Sequence, residues 1–576
     1  MTELSTYGEQ LNRKNPLPEY PRMQLQRDSY LNLNGIWEYQ IVGMNEEPHS
    51  EGWKEIVVPF AMESVLSGAE ETLQEDQAIW YRKQFAYKPS NLSTWLNFEA
   101  VDQECVVFVN GINVGHHIGG YAPFSFDISG TIKYQNSLMV KVMDLSDKGI
   151  HAYGKQRVNH SGMWYTPSSG IWQSVWIEDL PKHAIYDLKI TPDYDKEVVL
   201  IDLAGEFDQA AITIGAYGEV IHRGLTTGKH YEAPISNMHA WSPEDPFLYD
   251  LYVQTEDDIV KSYFGMRKYS VGVDSKGMPR FMLNNRPYFF SGLLDQGYIS
   301  DGLMTYPSDE AIIDEIMKVK EMGFNMLRKH IKVESRRWYY HCDRLGILVM
   351  QDMPSGGKFD FNFMGLLPTL GMRKMNDVDN DKLGRSELEE KKVYYDELDS
   401  MLDNLYNCVS VFSWVPFNEG WGQFNSEQIT KHIKEYDDTR LVDSASGWHD
   451  QGAGDFLSIH DYFFPYKTKQ DKYNRISILS EFGGYAYMEE GHSFAKKLYG
   501  YKKYKDKLKY NEALFELYEK MIIENIDRGL SGCVYTQLSD VEDECNGLMT
   551  MDRKVVKVDE RKMRRINERI MRKANK

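Results

Sequence analysis

From Asp274 onward the sequence changes its period, and that change constrains the fold more than any other feature. Apolar runs of strand length alternate with stretches of helical period. Strands are expected near 288–292, 325–328, 348–352, 409–416, 441–444, 456–460, 478–481 and 533–537. Between them lie amphipathic helices, for example over 308–322 and 335–345. Ser308 can cap the first, Asp309 and Glu310 occupy its first turn, and Gly323 stands just past its end. Eight strand–helix units in about 300 residues predict a (β/α)8 TIM barrel. An open doubly wound sheet would usually carry a glycine-rich phosphate loop after its first strand, and none is present.

The preceding half has no long helical period. Short alternating segments over 95–98, 105–109 and 114–117 are separated by turn chemistry. Asn110-Gly111 between the last two predicts a tight hairpin, because both residues tolerate positive φ. Strands at this spacing from 31 to 178 predict a β-sandwich. A second β segment over 184–273, including 210–216, Trp241-Ser242-Pro243 and 249–254, has about the length of an immunoglobulin-like sandwich.

Charge narrows the function. The chain has 66 Lys+Arg against 86 Asp+Glu, a net charge of −20. That excludes the basic face a nucleic-acid binder needs and suits a neutral or cationic small partner. No window approaches the ~18 apolar residues that span a bilayer, and no leader pattern opens the chain. Cys105, Cys342, Cys408, Cys533 and Cys545 have no metal spacing and read as reduced thiols of a cytoplasmic protein. Aromatic residues reach 13%. They can pack β-sandwich cores, or their flat rings can stack on a sugar.

A TIM barrel builds its site at the C-terminal ends of its strands. Strand four ends in Asn418-Glu419-Gly-Trp421-Gly and strand seven in Ser480-Glu481-Phe-Gly-Gly. Each delivers one carboxylate to the same rim. Each could be a lone salt-bridge partner, but two across one cleft are what glycoside hydrolysis needs: one protonates the leaving oxygen, the other attacks the anomeric carbon or activates water. Arg328, ending strand two, is the natural cation for an ionised glutamate, although a structural salt bridge would use the same residue type. His330, Asp352 and Trp448 follow strand ends and are candidates for hydroxyl binding and stacking. His460 could share the site or be a satisfied structural histidine. Asp543, in the acidic run after strand eight, is a candidate hydroxyl ligand.

These motifs resemble glycoside hydrolase family 2, the family of β-galactosidases, β-glucuronidases and β-mannosidases. Further matches are Leu31-Asn-Leu-Asn34-Gly35-Ile-Trp37, Gly119-Gly120-Tyr121, Ser169-Gly170-Ile-Trp172-Gln173, Phe264-Gly265-Met-Arg267 and Met322-Gly323-Phe-Asn325-Met-Leu-Arg328, across roughly 28–557. The resemblance implies a sugar-binding-type jelly roll over 1–181, an immunoglobulin-like sandwich over 182–273 and a catalytic TIM barrel over 274–576. It also implies a retaining mechanism, with Glu481 as nucleophile and Glu419 as acid, then base. Asn418 resembles the residue that bonds the sugar 2-hydroxyl, and Tyr462 the tyrosine that touches the nucleophile. Glu419 must hold a proton at rest, so Trp414, Phe417, Trp421 and the charge of Glu481 are expected around it to raise its proton affinity.

Departures bear on the substrate. Glucuronidases of the family carry Asn-x-Lys before a glycine; here the stretch is Glu544-Cys545-Asn546-Gly547, which disfavours a glucuronide. The family's strand-eight Trp is replaced within Val534-Tyr535-Thr536-Gln537. Asp352 could stand in for one metal-binding carboxylate of large β-galactosidases, but Pro354 occupies the place of a loop His. Neither metal nor cofactor is expected. The long segment 353–407 suits a pocket wall or lid. Asp377, Asp379 and Asp381 have calcium-loop spacing, yet Lys382 and Leu388 stand where glycine and glutamate are required. The expectation is an exo-β-glycosidase, most simply a β-galactosidase. Other pyranosidases, an arabinofuranosidase or a catalytically silent carbohydrate-binding protein are alternatives. The partner is a carbohydrate, not nucleic acid or membrane, and the resemblance leaves room for a homo-oligomer.

Overall fold

The computed structural model describes residues 4–574 except 370, 373, 379–380, 464 and 496–497. Two antiparallel sheets form the N-terminal β-sandwich. One orders Leu31–Asn32, Val175–Leu180, Ser93–Phe98 and Phe124–Asp127; the other orders Lys54–Val58, Gly35–Gly43, Gln77–Ala86, Gln135–Met143, Glu104–Val109 and Ile112–Ile118. Gln135–Met143 and Glu104–Val109 alternate buried and part-exposed residues, as strands with one face on a core must. Trp37, Tyr81, Phe98, Val107 and Val140 fill that core. Asn110 and Gly111 turn the hairpin at φ of 53° and 81°. A second sandwich pairs Ile185–Asp193, Val198–Gly205 and His230–Pro234 with Glu219–Thr226, Ala210–Ala216, Tyr249–Gln254 and Ile259–Phe264.

The strands Tyr269–Val273 and Pro279–Leu283 then form a hairpin, so the expected division at 273/274 falls at its turn. Tyr269 and Phe281 project from it into the lower barrel core, where Phe281 meets Phe290 and Phe412 at ring separations of 5.7 and 5.1 Å.

The barrel strands are β1 (Phe290–Asp295), β2 (Met326–Lys329), β3 (Leu348–Asp352), β4 (Val411–Val415), β5 (Leu441–Val442), β6 (Phe456–Asp461), β7 (Ile476–Gly483) and β8 (Leu530–Thr536). They form one parallel sheet in the order β5-β4-β3-β2-β1-β8-β7-β6. The Asp455 N–H donates to Val442 O at 2.8 Å and links the two ends. All eight expected strands are present. Helix α1 (Asp309–Glu321) starts at Ser308, whose hydroxyl accepts from the Ala311 N–H, and α2 (Arg336–Leu345) ends at Gly346. The other α-helices longer than three residues are α3 (Leu388–Leu405), α4 (Ser426–Tyr436), α5 (Lys507–Leu517) and α6 (Glu560–Ala574). No helix among the described residues is long and apolar enough to cross a membrane.

The eightfold strand–helix alternation is incomplete. Among the described residues no helix follows β5 or β6. Gly447, Gly452 and Gly454 adopt positive φ after β5, which a right-handed helix cannot include. The two segments fold as loops at the barrel mouth instead.

Strand alternation explains the barrel interior. Leu348 and Met350 point inward and Val349 outward; Met326 points inward and Leu327 outward. Continuing that period places Arg328 and Asp352 inward at the upper end. The lower interior is apolar, sealed by Phe281, and the upper interior is polar.

Two predictions follow from this packing. Phe281→Ala should destabilise the barrel by about 3–5 kcal/mol, read from its urea midpoint; a loss below about 1 kcal/mol would mean the hairpin is not a plug. Asp437 is buried, and although burial opposes its ionisation, Arg440, Thr439 and Trp414 outweigh it and hold the carboxyl at about 2. A folded pKa below the unfolded value stabilises fully above the ordinary carboxylate range, and that stability is lost as pH falls toward 2. Asp437→Asn should flatten this part of the acid limb in Tm measured from about pH 5 to about pH 2.

Candidate active site

Arg328 organises the mouth of the barrel. It is fully buried. Its Nε donates to Asp352 Oδ1 at 2.9 Å and its Nη2 to Asn418 Oδ1 at 2.9 Å. Its Nη1 reaches Ser480 O at 3.2 Å, Glu481 Oε1 at 3.3 Å and His460 Nε2 at 3.4 Å. Burial opposes the guanidinium charge, but Asp352 and Glu481 outweigh it and raise its pKa. Residues from β2, β3, β4, β6 and β7 thus converge on one cation.

Glu481 lies within β7, where the pairing with β8 slips between Leu479 and Phe482. Such a bulge re-aims side chains. The Glu481 carboxylate accepts from Arg328 and, at Oε2, from the Tyr462 hydroxyl. Burial and then the charge of Glu481 push the Tyr462 hydroxyl well above its usual pKa, so it acts as a donor. Tyr462 also meets Thr536 Oγ1 at 3.0 Å, a contact from the strand-eight stretch in which the family's Trp is replaced.

Glu419 follows β4 at φ 51°, an uncommon conformation for a non-glycine residue and one that clusters at functional sites. A Cβ on the next residue, Gly420, would fall 2.3 Å from His449 Cδ2, so glycine is required there. The Glu419 N–H donates to Ser446 O at 2.9 Å. His460 Nδ1 lies 2.7 Å from Glu419 Oε1. Arg328 can only donate to His460 Nε2, so the network assigns the imidazole proton to Nδ1, where it donates to Glu419. His460 therefore shares the site.

His330 Nδ1 lies 2.7 Å from Asp352 Oδ2. Burial and then the charge of Lys155 hold His330 well below its usual pKa, so it is neutral. Trp448 meets His460 edge-on, with ring centroids 5.6 Å apart, and donates to Met364 O at 3.1 Å. Trp421 donates to Gly357 O at 3.3 Å and packs against Tyr153, Trp164 and Phe359. The 353–407 segment thus backs both tryptophans as a wall. Asp377 within it accepts from the Ser426 N–H at 3.0 Å and caps α4; Asp379 lies outside the described residues.

Three expectations change. Trp414 points outward and donates to Asp437 at 3.0 Å, and Phe417 stacks on Tyr394 in the barrel–helix layer. A slip in the pairing of β3 with β4 turns Trp414 to the outer face, and Phe417, beyond the end of β4, lies in the same layer. Asp543 is not brought to the two glutamates. Its Oδ2 accepts from the Gly162 N–H at 3.1 Å, and it lines a separate cavity with Glu63, His160 and Glu542. Its neighbour Glu544 turns inward, is held by the Tyr165 hydroxyl and has its pKa raised by burial. A run of four acidic residues offers no signal for which one faces the mouth.

The sequence did not single out the serines beneath the site. Ser446 Oγ lies 3.0 Å from both His460 Nε2 and Ser458 Oγ, and Ser458 Oγ donates to Asp443 Oδ2 at 2.7 Å. Burial raises Asp443 to about 6. Small hydroxyls on inward strand positions carry no motif.

Among the described residues, Glu419, His460 and Glu481 bring ligand atoms within 4.8 Å of one another, close enough to hold a cation. Arg328 already reaches both Glu481 and His460, so positive charge is supplied there by the chain itself. The residues fit a hydrogen-bonded carboxylate pair better than a metal centre.

Comparison with known proteins follows the same division. Residues 65–181 match the model for the sugar binding domain of glycosyl hydrolases family 2, 172–267 match the model for glycosyl hydrolases family 2, and 276–557 match that family's TIM barrel domain. The chain belongs to this family. A β-galactosidase of Leuconostoc mesenteroides is 24% identical over 72% of this chain and 40% of its own length. A β-glucuronidase of Streptococcus agalactiae is 23% identical over 69% of this chain and 68% of its own. The alignments with the first three curated relatives span 39–41% of those proteins. In fold, the chain is similar to β-D-glucuronidase of Dictyoglomus thermophilum (TM-score 0.74, 17% identity, covering 96% and 98% of the two chains). It is also similar to the galacturonate-bound β-galacturonidase of Eisenbergiella tayi (TM-score 0.69, 17% identity, covering 95% and 98%).

Arg328→Met should leave Asp352 and Glu481 buried without their cation. The expected cost is about 3–5 kcal/mol in denaturant unfolding. Arg328→Lys should recover only part of it, since an ammonium lacks the planar fork. A cost under about 1 kcal/mol, the range of an exposed pair, would contradict its central role.

Proposed function

We propose that this member of glycoside hydrolase family 2 is a retaining exo-β-glycosidase that passes a terminal sugar through a covalent intermediate on Glu481. The observation that carries this is the glutamate pair. One oxygen of Glu419 lies within 4.8 Å of one oxygen of Glu481, which suits the roughly 5–5.5 Å carboxyl separation of retaining enzymes.

The surroundings suit the two roles. Arg328 and Tyr462 both donate to Glu481, which favours its anion and aims it. Glu419 Oε1 receives the His460 bond, which orients the carboxyl that carries the transferable proton. In the first step Glu419 protonates the glycosidic oxygen while Glu481 attacks the anomeric carbon. In the second, Glu419 removes a proton from water, which attacks the same carbon and frees Glu481. Arg328 engages Asn418 Oδ1, so the Asn418 amide donors face the sugar, where a bond to the 2-hydroxyl strengthens in the transition state. His330, Asp352 and Trp448 supply polar contacts and a wall for the same ring.

A neutral sugar, most simply a β-galactoside, is the first reading of the substrate, since Glu544 would repel a carboxylate. A uronide is the second. It is favoured by Lys155, whose Nζ lies 5.8 Å from the centroid of the Tyr165 ring, the ring whose hydroxyl holds Glu544. A panel of nitrophenyl glycosides decides between them. On the sugar that is turned over, Glu481→Gln should abolish hydrolysis without unfolding the protein. A 2-deoxy-2-fluoro glycoside of that sugar should add one glycosyl mass to the peptide holding Glu481. Full activity in Glu481→Gln, or label on another residue, would refute the assignment.

A further inference from the structure

The two glutamates are not equally open. The Glu419 side chain is 29% exposed and that of Glu481 only 6%. In a double displacement the leaving group departs beside the proton donor, so it must lie outward of the sugar, toward solvent. Three exposed aromatic rings border that exit.

Tyr501 stacks face to face on Tyr462, with centroids 3.8 Å apart and planes 9° from parallel, and Tyr462 touches the nucleophile. The residue is nevertheless 44% exposed. Burial of its phenolic end, then the charges of Glu419 and Glu481, push its hydroxyl well above the usual pKa. Phe463, 55% exposed, meets Tyr501 edge-on at 5.3 Å. Tyr499, 43% exposed, lies against Gly162, where an added Cβ would come 3.3 Å from its ring.

The segment is built rather than loose. The Tyr501 N–H donates to Gly484 O at 3.1 Å and the Tyr499 N–H to Asp543 O at 3.3 Å. Lys502–Tyr504 pairs with Tyr485–Tyr487. A Cβ on Gly484 would fall 2.4 Å from Tyr501 Cδ2, so only glycine lets that ring close on Tyr462.

Large rings held in exposed positions mark interaction surfaces. Resting on the glycosidase reading above, we propose that Phe463, Tyr499 and Tyr501 form a platform for the leaving group, and that the substrate's aglycone therefore presents a flat ring face, either a second sugar or an aryl group. The sugar ring itself lies deeper, beside Asn418 and Glu481. The platform acts before the glycosidic bond breaks and releases the aglycone after it.

The test uses the full chain and the sugar identified by the nitrophenyl panel, offered as aryl glycoside, disaccharide and glycosyl fluoride. Fluoride needs no platform. For Tyr499→Ala and Tyr501→Ala, kcat/KM on a ring-bearing substrate divided by kcat/KM on the fluoride should fall about 2- to 10-fold. Tyr501→Phe, which keeps the ring, should preserve the ratio. A fall confined to the disaccharide or to the aryl glycoside identifies which aglycone fits. An unchanged ratio in both alanine variants overturns the platform. Wild-type protein that turns over no glycosyl fluoride would instead sink the glycosidase reading itself.

Discussion

The buried guanidinium of Arg328 is the constraint on which the upper half of the barrel depends. An unpaired charge removed from water would be prohibitive, so the mouth must surround it with acceptors. Asp352, Asn418, Ser480 O, Glu481 and His460 do so at 2.9–3.4 Å. Those partners come from four different strands or strand ends, and the cation itself from a fifth. Satisfying one cation thereby sets the positions of both Glu481 and Asn418, the residue beside Glu419. His460 extends the same network to Glu419, so both glutamates are referenced to the same centre.

The barrel interior divides into two layers with different physics. Below, Phe281, Phe290, Phe412 and Phe456 pack with Met and Leu side chains, and dispersion and burial hold them. Above, serines and Asp443 form a hydrogen-bonded floor under His460. The boundary follows from strand period on β2 and β3, where the inward Met326, Leu348 and Met350 are followed by Arg328 and Asp352 at the C-terminal end. The loops after β5 and β6 carry Trp448 and Tyr462 rather than helices, and the 353–407 segment closes the wall behind Trp448 and Trp421. Function is concentrated where helical regularity is interrupted.

Much of this was legible beforehand. All eight barrel strands, α1 with its Ser308 cap and the Asn110-Gly111 hairpin follow from local periodicity and turn chemistry. Glu419, Glu481, Arg328 and Tyr462 stand at strand ends and converge as expected. The errors share one cause: the outcome depended on which way a side chain points. Trp414 and Phe417 face the outer layer, Asp543 turns toward Gly162, and Glu544 points inward in its place. The hairpin across 273/274 was hidden because its pairing partner lies on the far side of the expected division.

By itself, then, the sequence determined the eight-stranded barrel, the two β-sandwiches before it, and the identity and strand placement of the two glutamates. These depend on short-range pattern: strand and helix periods, glycine turns and the residues that end each strand. Only the tertiary structure decided that Arg328 is the shared hub, that His460 bridges toward Glu419, that Glu544 rather than Asp543 faces inward, and that Tyr501 stacks on Tyr462. These depend on bulges, loop paths and contacts between segments distant in sequence, such as Tyr165 with Glu544. Orientation of that kind is set by packing against the rest of the chain, and no local pattern encodes it.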